Sequence, residues 1–306
     1  MNELRIIFMG TPEFAVPSLQ MLLENKFNVV AVVTAPDKPQ GRGKKLGSSP
    51  VKVCAVENNI PVLQPINLKA ESFLAELKSF NANLQVVVAF RMLPEVVWSM
   101  PSLGTFNLHG SLLPQYRGAA PINWAIINGE KETGVTTFFL KHEIDTGSII
   151  FQEKEPIHED DNVGTLYERL MHKGAKLVLK TVRAIEKNEH TAFPQDETGP
   201  INHAPKIFKD TCQVNWNQSS RDVYNFVRGL SPYPGAWTII NDKSYKILKV
   251  SIGAEGQAIS HPEDFSTDSN SFLKFYTNDG WVDVETLQPE GKKKMDIKDF
   301  FRGNKI

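Results

Sequence analysis

Residues 107–121 read NLHGSLLPQYRGAAP. Asn107 and His109 end an apolar stretch, SLGTFNLH, that alternates as a strand does, and a stiff Leu-Leu-Pro follows. Side chains along a strand alternate with a period of two, so Asn107 and His109 share one side of it. In an open parallel sheet, ligands bind outside the carboxyl ends of the strands, where this amide and this imidazole fall. An amide that donates to a developing oxyanion, beside an imidazole that moves a proton or adds charge, suits acyl-type transfer. Taken alone, the same pair reads equally well as a capping asparagine and a hydrogen-bonded core histidine.

The flanking sequence says what kind of sheet this strand joins. LRIIFMG (4–10) is a short apolar run ending in Gly, a buried strand. Thr11-Pro12 reads as a helix start, with Thr as N-cap and Pro at the first helical position. FNVVAVVT (27–34) is apolar on both faces, as a parallel strand covered by helices requires. A polar loop spans 35–50, and helices and strands then alternate through LQVVVAF (84–90), GTFNLH and VTTFFLK (135–141). SIIFQEKEP (148–156) reads as an edge or hairpin strand, and 164–187 as a long amphipathic helix. The alternation predicts an α/β fold with a Rossmann-like, open, parallel-rich sheet. After about 188 the pattern changes. A polar, Pro-rich linker at 189–206 separates domain 1–188 from a domain at 207–306. The short alternating segments of that second part predict a small β-barrel.

Bulk composition narrows the function. The 306 residues suffice for two domains of roughly 150 residues each. A net charge of -1 excludes a chain coated in basic residues, so any nucleic-acid contact must be a local patch. Two distant cysteines, Cys54 and Cys212, exclude a disulfide framework and a zinc ribbon, and suit a reducing compartment. No leader-like start and no run of ~20 apolar residues is present, so the expectation is a cytoplasmic protein. No His, Cys or carboxylate cluster has metal-ligand spacing, and a monomer is the expected state.

Two further stretches add chemistry. HEIDTGSII (142–150) places Asp145 in a turn just after a predicted strand, where a carboxylate can orient an imidazole. Most such Asp residues merely cap turns, yet with Asn107 and His109 this one completes an amide, imidazole and carboxylate set. The loop Ser111-Leu112-Leu113-Pro114 offers apolar side chains and backbone polar groups beside that set, able to clamp a flat ring, or simply to connect. Lys38, Arg42, Lys44 and Lys45 fall within eight residues that contain no acid and are interleaved with glycine. Such a run is either a solvated surface loop or a binder of phosphates. Lys292, Lys293 and Lys294 form a weaker basic spot, bracketed by acids.

NLHGSLLPQYRGAAP together with IDTG resembles the signature of the folate-dependent formyltransferases, three separated elements agreeing in order and spacing. The resemblance implies that Asn107, His109 and Asp145 are catalytic and that Ser111, Leu112, Leu113 and Pro114 contact the folate. It implies 10-formyltetrahydrofolate as the formyl donor and an amine as acceptor, with no metal. MGTPEFAVPSL, VTAPDKPQGRGKKLGSSPVK, RGLSPYPGAW and LQPEGKKKM resemble the members of that family that formylate methionine on initiator methionyl-tRNA, so the likeness covers nearly the whole chain. It implies that Lys38, Arg42, Lys44 and Lys45 meet tRNA, with Arg117 at the mouth of the site, and that the C-terminal barrel is OB-like and also binds tRNA.

One segment departs from the family. VVVAFRMLPEVVW is a residue shorter than its counterparts, and Arg91 stands where Gly is common. Phe90, Met92 and Leu93 belong to a segment that in the family lines the folate pocket with backbone groups. Arg91 points either to solvent or to the glutamate tail of the folate. Competing readings are formyl transfer to a small amine, hydrolytic release of formate, a nucleic-acid-binding module on an inactive scaffold, and a nicotinamide dehydrogenase. The last is disfavoured by the missing GxGxxG after the first strand.

Overall fold

The computed structural model describes residues 3–40, 45–253 and 264–306. They divide into two compact units. The first contains residues 1–117, 134–155 and 167–202, and the second 118–133, 156–166 and 203–306.

The first unit is organised by a sheet whose strands we label β1 (Arg5–Gly10), β2 (Asn28–Val33), β3 (Val62–Leu63), β4 (Leu84–Val88), β5 (Thr105–His109), β6 (Glu132–Phe139) and β7 (Ile149–Pro156). Their order is β7-β6-β5-β4-β1-β2-β3. Strands β3, β2, β1, β4 and β5 run parallel, and β6 is antiparallel to β5. β1 and β4 are almost wholly buried, which explains apolar runs without alternation. On one face Ile7, Met9, Ala31, Val33 and Val87 pack with Phe73, Leu77 and Val97 from the covering helices. On the other lies the helix Val163–Glu186. Its Gly174 comes so close to Leu108 that an added Cβ would stand 2.6 Å from that side chain. Thr181 and Thr137 share a buried hydrogen bond of 2.8 Å between helix and β6. Because Leu108 faces this helix, Asn107 and His109 face the opposite way.

Several local expectations need correction. Thr11 does not cap a helix: a 3-10 turn spans Glu13–Ala15 and the α-helix runs Val16–Glu24, with Pro17 in its first turn. The loop at 35–50 contains a small antiparallel pair, Lys38–Gln40 with Lys45–Gly47. Its far end is a helix start, where Ser49 accepts from Lys52 N and Pro50 follows. The helix Pro121–Ile127 has too short an apolar pattern to stand out in the sequence.

In the second unit, strands β8 (Ala236–Ile240), β9 (Lys243–Ile252), β10 (Phe265–Thr267), β11 (Leu273–Tyr276) and β12 (Trp281–Pro289) form an antiparallel sheet in the order β8-β9-β12-β11-β10. Trp216 stacks on Phe275 at 3.9 Å, with Val223 and Val227 of the helix Ser220–Leu230 in the same core. Ser219 caps that helix, and Asp279 accepts from Ser220 N at 2.7 Å. No helix among the described residues is long and apolar enough to cross a membrane.

Glu155, buried on β7, accepts from Arg169 Nε at 2.7 Å and lies 3.0 Å from Lys173 Nζ. Burial alone would raise its pKa; the hydrogen bonds and charges of Arg169 and Lys173 outweigh this and hold the carboxyl below its ordinary value. A carboxyl with a depressed folded pKa contributes stability above its unfolded pKa of about 4.3 and loses it as pH falls through the folded value. Urea titrations of Glu155→Gln are expected to show a loss of about 1–2 kcal/mol at pH 7. The gap to the parent protein should close below about pH 4.

Candidate active site

The site forms at the carboxyl end of β5, within the first unit. His109 is 6% exposed, and its Nε2 lies 2.8 Å from the carbonyl oxygen of Tyr116. A carbonyl only accepts, so Nε2 carries the hydrogen and a neutral ring has its lone pair at Nδ1. That nitrogen lies 3.8 Å from Asp145 Oδ2, within ion-pair reach but longer than a hydrogen bond. A proton taken up at Nδ1 therefore lands between ring and carboxylate. Asn107 is half-buried, its backbone in register with Val87 of β4 and Phe138 of β6. Its side-chain amide has no hydrogen-bond partner among the described residues, so both N–H donors remain available.

Asp145 reaches His109 through a tight turn after β6. Its φ of +56° is left-handed, a region Asp tolerates better than most residues. At Gly147 the turn presses on β6 so closely that a Cβ would sit 1.6 Å from Phe139 O. The Asp-Thr-Gly sequence thus fits a backbone that needs a short side chain at 145 and none at 147.

The Ser111–Pro114 loop is more firmly held than the sequence implies. Thr136 Oγ1 donates to Ser111 O at 2.6 Å, Leu113 N donates to Thr136 Oγ1 at 3.2 Å, and Gln152 Nε2 donates to Leu113 O at 2.9 Å. Gln115 N donates to Leu112 O at 3.0 Å, and Ser111 Oγ donates to Gln115 O at 2.6 Å. Ser111 and Leu113 are buried, whereas Leu112 and Pro114 keep partial exposure. The carbonyls of Ser111, Leu112 and Leu113 already have protein partners and can still accept on a second lone pair.

The departing segment separates its residues. Leu93 is buried in the core beneath the sheet and Phe90 packs on that core, while Met92 is 69% exposed. Arg91 is exposed and at the same time anchored to the backbone. It donates to Ile66 O at 2.8 Å and to Pro65 O, with its guanidinium 5.7 Å from the Phe90 ring centroid, and burial lowers its pKa. It ties the segment after β4 to the segment after β3. Between them opens a cavity of about 450 Å³ lined by Thr11, Ala35, Pro36, Lys38, Ile66, Ala89 and Arg91. This cavity stands where the strand order reverses, between β1 and β4, the usual ligand position in such sheets.

The basic residues also part company. Lys38 is exposed at the cavity's edge. Arg42, Lys44 and the side chain of Lys45 lie outside what the structure describes. Arg117 is not a free cation at the mouth: its side chain is 12% exposed, it donates from Nε and Nη2 to Gln195 Oε1 at 3.1 and 2.6 Å, and it pairs with Glu197 at 2.5 Å. Gln195 comes from the segment read as a linker, and no sequence signal marks it. Among the described residues, no group of three or more His, Cys, Asp and Glu could hold a metal ion.

Residues 4–182 match the model of the formyl transferase family, and residues 206–305 match that of the formyl transferase C-terminal domain. A methionyl-tRNA formyltransferase of Bacteroides fragilis is 52% identical, over 99% of this chain and 95% of its own. One of Parabacteroides distasonis is 54% identical, over 99% and 97%. Among solved structures, the sugar 3N-formyl transferase WlaRD, determined in the presence of dTDP and 5-N-formyl-THF, shares the fold. Its TM-score is 0.68 at 23% identity, covering 96% of this chain and all of its own. With the matches extending through both parts, the chain belongs to the formyl transferase family.

Proposed function

We propose that this chain transfers the formyl group of 10-formyltetrahydrofolate to the amino group of methionine on initiator methionyl-tRNA. The observation that carries the chemistry is the Asn107 amide, without a hydrogen-bond partner among the described residues, beside an imidazole bounded by Tyr116 O and Asp145. The acceptor rests on relatives about half identical over nearly the whole chain, which bear the name methionyl-tRNA formyltransferase.

As the acceptor nitrogen bonds to the formyl carbon, negative charge develops on the formyl oxygen. The Asn107 amide donates to that oxygen. His109 Nδ1 takes the proton released by the attacking amine and returns it to the folate nitrogen as the old C–N bond breaks. Asp145 stabilises the charge on the ring between these events and orients it. Leu112 and Pro114 give the folate an apolar wall, backed by Ser111 and Leu113, and the segment of Phe90, Met92 and Leu93 contributes backbone groups to the pocket. Lys38, Arg42, Lys44 and Lys45 meet the phosphates of the tRNA; Arg117, already engaged, is left out of that set. In this reading residues 1–188 carry the chemistry, 189–206 connect, and 207–306 form a tRNA-binding domain. The protein acts as a monomer in the cytoplasm, where translation begins.

Asn107→Ala and His109→Ala are each expected to lower turnover about 10²- to 10³-fold with an unchanged circular-dichroism spectrum. Near-normal turnover by folded His109→Ala would take the imidazole out of the chemistry. Arg42→Ala should raise KM for tRNA at low salt and leave folate binding intact; unchanged kinetics would remove the basic segment from tRNA recognition. The function itself is tested by offering the purified protein 10-formyltetrahydrofolate with initiator methionyl-tRNA, elongator methionyl-tRNA or free methionine. Transfer to the initiator alone is the expected result. Folate binding without transfer to any of them would point to a small amine or to hydrolysis.

A further inference from the structure

His109 is bounded by two elements distant in sequence, the Tyr116 carbonyl at Nε2 and the Asp145 carboxylate at Nδ1. The side chain that spans them is Gln195. Its Nε2 donates to Asp145 O at 2.7 Å and to Gly147 O at 2.9 Å. Its Oε1 accepts from Arg117 Nη2 at 2.6 Å and Nε at 3.1 Å. Arg117 adjoins Tyr116 in the chain. A closed circuit results: His109 to Tyr116 O, through Arg117 and Gln195, to the Asp145 turn and back to His109. Both N–H groups and the oxygen of the amide are committed within it, which few residue types could do at one position.

The segment carrying Gln195 is itself fixed on both flanks. Phe193 N and O pair with Ile149 O and N at 3.0 and 2.8 Å. Tyr116 N donates to Asn202 O at 2.6 Å, and Asn202 N donates to Gln115 Oε1 at 2.9 Å. Glu197 also engages the Arg117 guanidinium. Residues 193–202 therefore brace the turn after β6 against the chain after β5.

We propose that Gln195 is a positioning residue of the active site: by bridging Arg117 and the Asp145 turn it sets the distance between the Asp145 carboxylate and His109. This rests on the assignment of His109 and Asp145 to the chemistry. The two oxygens that Gln195 bonds, Asp145 O and Gly147 O, belong to the turn that aims the carboxylate at the ring, so a turn freed from the amide can carry the carboxylate away. The bridge works through Asp145 backbone oxygen, which survives substitution of the aspartate side chain, so the two effects are separable.

The test is a double-mutant cycle on the full-length protein with initiator methionyl-tRNA and 10-formyltetrahydrofolate, comparing the parent with Gln195→Leu, Asp145→Ala and the double variant. Gln195→Leu is expected to lower kcat about ten- to a hundredfold, as misplacement of a catalytic group does. KM for both substrates should stay within about twofold, because nothing bound is touched. In the Asp145→Ala background the same change should cost less than about twofold in kcat. Gln195→Glu, which keeps the acceptor for Arg117 but loses the donor for the turn, should behave like Gln195→Leu and replaces it if the latter fails to fold. An equal cost with and without the Asp145 side chain would overturn the proposal, since the effect would then not pass through Asp145. Normal kcat in both Gln195 variants, with Asp145→Ala slow, would also overturn it and leave the active-site assignment standing. A near-normal Asp145→Ala would instead remove Asp145 from the chemistry, and this proposal with it.

Discussion

The arrangement depends on one imidazole held from both sides. Tyr116 O fixes the hydrogen of His109 at Nε2, and the Asp145 carboxylate waits 3.8 Å from Nδ1. Everything nearby serves that geometry. The parallel strands bring β5 to an edge position in the parallel set, and β6 then runs antiparallel beside it, with His109 opposite Thr136. This reversal does two things. It places the Thr136 hydroxyl under the Ser111–Pro114 loop, and, because β6 ends beside Phe106 near the amino end of β5, the segment after it doubles back for Asp145 to reach His109.

The site contrasts satisfied and unsatisfied polar groups. Thr136, Gln152, Ser111 and Gln195 are hydrogen-bonded within the protein, each bond contributing about 1 kcal/mol or so and each costly to leave unmade once buried. Asn107 alone of the expected catalytic trio leaves its side chain without a hydrogen-bond partner among the described residues, at a partly exposed position where water can serve until a substrate oxygen replaces it. The polar network therefore ties the frame together, and the Asn107 amide is the donor available to a bound oxygen.

Arg91 shows the same economy on the neighbouring strand. A guanidinium offers five donors, and two backbone carbonyls at 65 and 66 use part of them while Phe90 covers its face. The shorter segment after β4 is thus secured by a side chain instead of by backbone length. The cavity at the strand-order reversal keeps its walls.

Much of this was legible in the chain itself. Buried strands announce themselves as apolar runs, because both sheet faces are covered. Asn107, His109 and Asp145 could be singled out since amide, imidazole and carboxylate at strand ends and turns have few cheaper uses together. Short-range signals fared worse: Thr11-Pro12 looked like a cap but precedes a 3-10 turn, and the polar 35–50 stretch hid a strand pair, because two or three residues of pairing leave no periodicity. The roles of Arg91, Arg117 and Gln195 were decided only by tertiary structure. A long polar side chain carries no record of its partner, and Gln195 lies 78 residues from Arg117 and 50 from Asp145 in sequence. The sequence by itself determined which chemistry is present and on which kind of sheet. Only the fold, by closing contacts across those distances, decided how the imidazole and the carboxylate are held relative to each other.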